Sequence, residues 1–260
     1  PQAPPRARTM LEELYTRTRN EKALVEFYNE TLKKYPDDPQ WLMQAGAFAL
    51  RHKNYEQAKA LLKKAWDLSP QTYEHAAKLD LYLESLVQNG EYDQLLKIAS
   101  EYTDDEAFAA LAYSQIAQAQ KKKGSGIEAV NYYYRALEKC GTNDRLMLGV
   151  LRNMLQMVGP EEVEKWCQKQ MDANPSSVPT QLMMFTLTRE GGQYNRALTY
   201  IDKCMELVGP AKPIWIRFAM DKANVLILAY AKTADRRYLM DGIGVLEQIL
   251  EIQPDNSTVL

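Results

Sequence analysis

The sequence predicts an all-α chain: an α-solenoid of about seven stacked helix hairpins spread over 260 residues. Three observations carry that prediction. Apolar residues recur at helical spacing, small or aliphatic residues return at a nearly fixed distance, and turn and stop signals alternate between the periodic stretches.

The clearest element is "NYEQAKALLKKAWDLSP", from Asn54 to Pro70. Tyr55, Ala58, Leu61, Leu62, Ala65, Trp66 and Leu68 share one helical stripe, and Glu56, Gln57, Lys59, Lys63, Lys64 and Asp67 form the opposite face. Asn54 is expected to cap the start through its side-chain oxygen, and Pro70 cannot continue a helix. Weaker copies begin at Gly90, Gly126, Gly159 and Gly191. Aligning them on Ala58 yields the series Leu24, Ala58, Leu95, Ala129, Val163, Ala197 and Gly242, with gaps of 34, 37, 34, 34, 34 and 45.

A second set of helices is expected between these copies, over Trp41 to His52, Ala76 to Gln88, Ala107 to Lys123, Leu146 to Met157 and Thr180 to Arg189. Short turns such as "KNY", "NGEY" and "GGQY" join the members of a pair. Pro36, Pro70, Pro175, Pro210 and Pro254 punctuate the pairs. "PIWIRFAMDKANVLILAY", from Pro213, is apolar on nearly every side and therefore has to be covered on both flanks.

The pattern resembles the tetratricopeptide repeat, a 34-residue helix hairpin with small residues at set positions and a closing proline. In the second unit Gly46, Ala58, Ala65 and Pro70 stand at the small and proline positions, and Tyr55 at the aromatic turn position. Ala129, Tyr133 and Ala136 match in the fourth unit, and Tyr194, Ala197 and Ile201 in the sixth. Trp41 lies one residue early for the family's tryptophan, the first and fifth units keep little beyond apolar spacing, and the last first-helix is overlong.

The resemblance implies a right-handed superhelix whose concave groove is lined by the first helix of each pair. In the family's register the groove positions are Met43, Ala47, Leu50 and Arg51, then Asp80, Glu84 and Gln88, and then Ser114, Gln118, Lys121 and Lys122. Arg145, Leu148, Arg152 and Gln156 follow, and finally Leu182, Thr186 and Arg189. The expected groove is acidic in the third unit and basic from the fourth to the sixth. The ladder Lys121, Lys122, Arg145, Arg152 and Arg189 is the candidate partner-binding site, suited to an acidic segment because guanidinium forks match carboxylates. The family's carboxylate clamp for chaperone tails is missing, since Met43, Ala47, Leu81, Leu111 and Gln115 stand where its Lys and Asn would be.

Composition sets further bounds. With 46% apolar residues and a net charge of −2, the chain lacks the concentrated positive charge of a nucleic-acid or anionic-membrane binder, and no apolar run is long enough to span a bilayer. Cys140, Cys167 and Cys204 have no metal-like or disulfide pattern and read as buried small hydrophobes. His52 and His75 have no Cys or Asp partner at informative spacing, so they read as surface or capping residues. "KKKGSG", from Lys121, lacks the features of a phosphate loop and reads as a helix end. Neither catalytic residues nor a cofactor is therefore expected.

The methionines at 147, 154, 157, 171, 183 and 184 are expected to fill the core, and one ring of Tyr132 to Tyr134 should stand exposed. Residues 1–8 read as a linker-like segment ahead of a single repeat domain over 9–260, and both ends suggest a piece of a longer protein. The leading expectation is a non-enzymatic protein-interaction scaffold that takes a protein or peptide in its groove. Alternatives are a self-associating assembly scaffold of the bacterial envelope or of polysaccharide export, cytoplasmic or periplasmic if bacterial, and an RNA-binding helical repeat. Self-association through the C-terminal repeat is a further expected contact.

Overall fold

A computed structural model describes residues 5–70, 75–141 and 143–254, which are all-α. They divide into two compact units, Pro1–Lys139 and Cys140–Leu260.

The first unit contains α1 (Pro5–Arg17), α2 (Glu21–Lys34), α3 (Pro39–Arg51), α4 (Tyr55–Asp67), α5 (Ala76–Asn89), α6 (Tyr92–Ser100), α7 (Ala109–Lys122) and α8 (Gly126–Lys139). Successive helices pack as antiparallel pairs, and α3 meets α5 as α5 meets α7, so first helices stack on first helices. Helix α1 starts at Pro5, inside the stretch read as a linker; residues 1–4 of that stretch lie outside the described residues.

Local chemistry explains several boundaries. The Asn20 side chain accepts from the Ala23 amide, and Asp38 accepts from the amides of Gln40 and Trp41 ahead of Pro39 at the first helical position. Asn54 does not cap α4 as expected: its amide nitrogen instead donates to Gln57 Oε1 at 2.7 Å, and no backbone donor reaches its oxygen. Gly90 ends α5 at φ 79°, a left-handed conformation that costs a glycine little.

The second unit contains α9 (Asp144–Val158), α10 (Pro160–Ala173), α11 (Val178–Glu190), α12 (Tyr194–Val208), α13 (Pro213–Thr233) and α14 (Arg236–Ile252). Asn143 caps α9 through Leu146 N, and Asp235 caps α14 through Arg237 N. Again first helix meets first helix, α9 against α11. Phe185, Ile201, Trp215, Phe218, Leu226, Val245 and Ile249 form a continuous core through the last two hairpins. The long apolar stretch is one helix, α13, 21 residues in length against 13 for α11; the difference accounts for most of the excess of the final gap of 45 over 34. It buries Trp215, Phe218, Ala219, Ala223, Val225, Leu226 and Ala229, while Ile227 and Leu228 remain exposed.

The sequence period is a packing period. Ala58, Leu95, Ala129, Val163 and Ala197 are all fully buried, and Leu24 and Gly242 are buried as well. Gly46 shows the reason for small residues: a Cβ built there would lie 2.6 Å from Leu62 Cγ, so α3 approaches α4 as closely as a missing side chain permits. Polar clasps repeat at nearly the same separation along the turn edge. Lys59 meets Glu91, Asn89 Nδ2 donates to Glu56 Oε1 at 2.7 Å, Lys123 meets Asp93 at 2.9 Å, and Arg196 meets Glu164 at 2.8 Å.

Trp66, Tyr102 and Phe108 form a ring cluster with centroids 5.5 to 6.0 Å apart, pinning the irregular stretch after the short α6. "YYY" departs from expectation. Tyr133 is buried, but Tyr132 and Tyr134 are both only half-buried, and Tyr132 stacks on Tyr113 at 6.1 Å under Arg135.

A matched pair of substitutions tests this account. Gly46→Ala forces a methyl against Leu62 and should cost about 1–3 kcal/mol. Gly149→Ala, on α9 with nothing within 4 Å of its added Cβ, should stabilise by about 0.5–1 kcal/mol. Thermal melts followed by circular dichroism should move in opposite directions; a shared direction would contradict the close-approach reading.

Candidate partner-binding site

In the first unit, α5 and α7 present the residues assigned to the groove. Asp80 accepts from Gln115 Nε2 at 2.6 Å, and Gln118 Nε2 lies 3.5 Å from Gln115 Oε1, so a polar chain links the two helices. Burial pushes the Glu84 carboxyl up, and neighbouring Asp80 adds to the shift. Ser114, read as a groove position, is buried, as is Gln115: the contact between α5 and α7 closes over both. Lys121 and Lys122 occupy the last turn of α7, Lys121 half-buried and Lys122 exposed, beside Gly124 at φ 86°. Their charge suits the helix C-terminus, which offers unpaired carbonyls.

In the second unit, Arg145 and Arg152 lie two turns apart on α9 and so share one stripe. Both are exposed, and among the described residues neither reaches a carboxylate, although Lys165, Arg196, Lys203 and Lys222 each do. Arg189 closes α11. Its guanidinium lies 5.3 Å from the Phe185 ring centroid and 3.7 Å from Glu190 Oε1, with about a third of the side chain exposed (34%). The five cations of the expected ladder therefore fall in two units, the lysines in one and the arginines in the other.

Sequence reasoning missed Arg217 and Asp221 on α13. Arg217 is exposed and Asp221 half-buried, four residues apart and so on one face. Burial pushes the Asp221 carboxyl up, while Arg217 and Arg189 pull it down. The i, i+4 spacing was visible in the sequence, but the apolar character of the surrounding stretch masked it. Lys78 was missed too: this lysine of α5 is buried, and burial lowers its pKa against the opposing pull of Asp38.

Elsewhere the chemistry is structural. His52 ends α3, 4.3 Å from the Phe48 ring and 3.9 Å from Glu21, and His75 occupies the N-terminal boundary of α5. Met154, Met171, Met183 and Met184 are buried as core fillers, while Met147 and Met157 are half-buried. No group of three His, Cys, Asp or Glu able to hold a metal occurs among the described residues, and no helix there is long and apolar enough to cross a membrane. The three thiols are buried, and burial pushes each up to about 12.

With its hairpins, 34-residue spacing and small residues buried at the crossings, the chain has the architecture of tetratricopeptide-like helical repeats. No family model matches it, and no curated protein does. Among solved structures it is similar to the C-terminal part of a TPR repeat-containing protein from Cytophaga hutchinsonii, at 14% identity and TM-score 0.48, over 96% of this chain and 97% of that one. Yeast Tom70 aligns at 14% identity and TM-score 0.48, over 83% of this chain and 45% of Tom70. YrrB, described as a TPR protein with an unusual peptide-binding site, aligns at 15% identity and TM-score 0.37, over 89% of this chain and 95% of YrrB.

The thiols supply a direct check. A pKa near 12 keeps them protonated at pH 8, and the core shields them, so native protein should take up no iodoacetamide at Cys140, Cys167 or Cys204. All three should alkylate in denaturant. Rapid native labelling followed by peptide mass spectrometry would contradict the packing described.

Proposed function

We propose that this chain is a non-enzymatic protein-interaction scaffold whose second unit holds an acidic segment of a partner on an arginine face. The observation that carries the proposal is the pair Arg145 and Arg152, exposed on one stripe of α9 with no acid of this chain among the described residues within ion-pair distance. Stability does not require such a pair, because like charges on one helix face repel weakly. Planar guanidiniums present five donors each in a geometry that matches carboxylates. Arg189 extends the row onto α11. Lys121 and Lys122, in the first unit, are assigned to the same class of partner.

The test is capture from lysate of the source organism, with wild type and Arg145→Glu/Arg152→Glu immobilised side by side and mass spectrometry as readout. A partner held by the wild type, released as salt rises and absent from the double variant, at unchanged helicity, is the expected result. Equal retention by both proteins would remove the arginine face from the binding site.

A second observation favours self-association. The last hairpin leaves Ile227, Leu228, Leu239, Met240, Ile243 and Ile252 exposed, with Met240 at 65%. Apolar side chains gathered on one hairpin mark a contact surface more often than scattered ones do. Light scattering should show a mass that rises with concentration, and Ile227→Asp/Met240→Asp should hold it at the monomer value. A constant monomer mass for the wild type would contradict this reading.

A further inference from the structure

Successive hairpins meet through one recurring contact, a second helix packed against the first helix of the next pair: α4 on α5, α6 on α7, α10 on α11 and α12 on α13. The pair α2 and α3 shows its side chains. Leu24 and Tyr28 of α2 close over Ala45 and Phe48 of α3, and the Tyr28 and Phe48 ring centroids lie 5.3 Å apart. One 34-residue step back from Ala45 and Phe48 stand Leu11 and Leu14 of α1, at the positions that a preceding second helix covers in α3. On α1 both are exposed, Leu14 at 53%, and Met10 beside them is exposed as well.

The other half of the contact lies open on α14. Tyr194, Leu198 and Ile201 of α12 stand three places before, one after and four after the recurring small residue Ala197, and they pack into the core that α13 completes. Lys232 of α13 reaches to 5.4 Å from the Tyr194 ring centroid. The same places around Gly242 hold Leu239, Ile243 and Leu246. This stripe has no first helix over it among the described residues: Leu239 and Ile243 are exposed, Ile243 at 42%, and Leu246 is half-buried. An apolar outer face on a repeat array needs a cover.

Resting on the self-association reading, we infer that the occupant of the α14 stripe is α1 of a second copy, so that copies of this chain join head to tail. Leu11 and Leu14 of one copy meet Leu239, Ile243 and Leu246 of the next. Continuity is the argument: the two open faces are the two halves of a contact that the chain already makes between its own hairpins. A like-to-like contact between two α14 faces would leave α1 uncovered, whereas the head-to-tail contact covers both apolar faces. Because the surfaces that meet are different, the contact is heterologous, and a single joint leaves one free surface of either kind.

Sedimentation equilibrium of the full chain tests this, with two variants that each lose one surface: Leu11→Asp/Leu14→Asp and Leu239→Asp/Ile243→Asp. All four side chains are exposed, so helicity by circular dichroism should match wild type. Glutamine at the same positions keeps helix propensity and should act alike. Wild type is expected to gain mass with concentration and each variant alone to stay at the monomer mass. An equimolar mixture of the two variants should reach twice that mass and go no further, since one intact α1 face then meets one intact α14 face. If Leu11→Asp/Leu14→Asp associates as wild type does while the other variant is monomeric, the joint is like-to-like: the head-to-tail inference is overturned and self-association stands. A mixture that stays monomeric overturns it too. A wild type of constant monomer mass removes both readings.

Discussion

Two helices of a hairpin can approach closely only where a side chain is missing or small, and the rest of this molecule is arranged around that constraint. Interhelix distances of about 8–10 Å leave no room at the crossing point for a long side chain on both partners. Gly46 against Leu62 is the extreme instance, and Ala58, Ala129 and Ala197 are small residues buried at the recurring position of α4, α8 and α12. Because the crossing residue sets where along each helix the partners meet, it also sets which residues of successive hairpins lie at the same height. Within each unit the polar clasps, Lys59 to Glu91 and Arg196 to Glu164, follow from that register. Each joins residues 32 apart, close to one repeat.

The same register turns single residues into rows. When first helices stack on first helices, a charge at a given position of one hairpin stands near the matching position of the next. On the second helices, many cations are matched by an acid close by: Lys59, Lys63 and Lys64 on α4, Lys165 on α10, and Arg196 and Lys203 on α12. On the first helices of the second unit the pattern is mixed: among the described residues Arg145 and Arg152 have no such match, Arg189 has a distant one at 3.7 Å, and Lys222 meets Asp202 at 2.8 Å. An array gains little stability from exposed pairs. These pairs therefore do little to decide how the fold is held.

Much of this was legible because the signals act locally. The helices expected over Trp41 to His52, Ala76 to Gln88 and Leu146 to Met157 lie within a residue or two of α3, α5 and α9, since a proline or a capping acid or amide has the same effect in any context. The buried cysteines and methionines were legible for the same reason: apolar stripes point to cores. What escaped depends on contacts between elements. Asn54 had a glutamine within reach that took its side chain, and Ser114 is closed over by a neighbouring helix. Arg217 and Asp221 lay in a stretch so apolar that periodicity gave no face to assign them to. The charges of the second unit were accordingly half read: Arg145, Arg152 and Arg189 on α9 and α11 were named, and the pair on α13 was not.

Departures from the 34-residue spacing set α13 apart from the other first helices. A helix of 21 residues extends about 31 Å, against about 20 Å for the 13 residues of α11. The longer helix cannot be matched along its whole length by a shorter neighbour, so part of its surface stays uncovered. Where that surplus is apolar it leaves Ile227 and Leu228 in solvent. Nearer its start, Arg217 and Asp221 stand one turn apart on one face. A strictly periodic array would repeat one chemistry along its face. Here the irregular hairpin breaks that repetition: α13 carries Arg217 and Asp221 on one face and exposes Ile227 and Leu228.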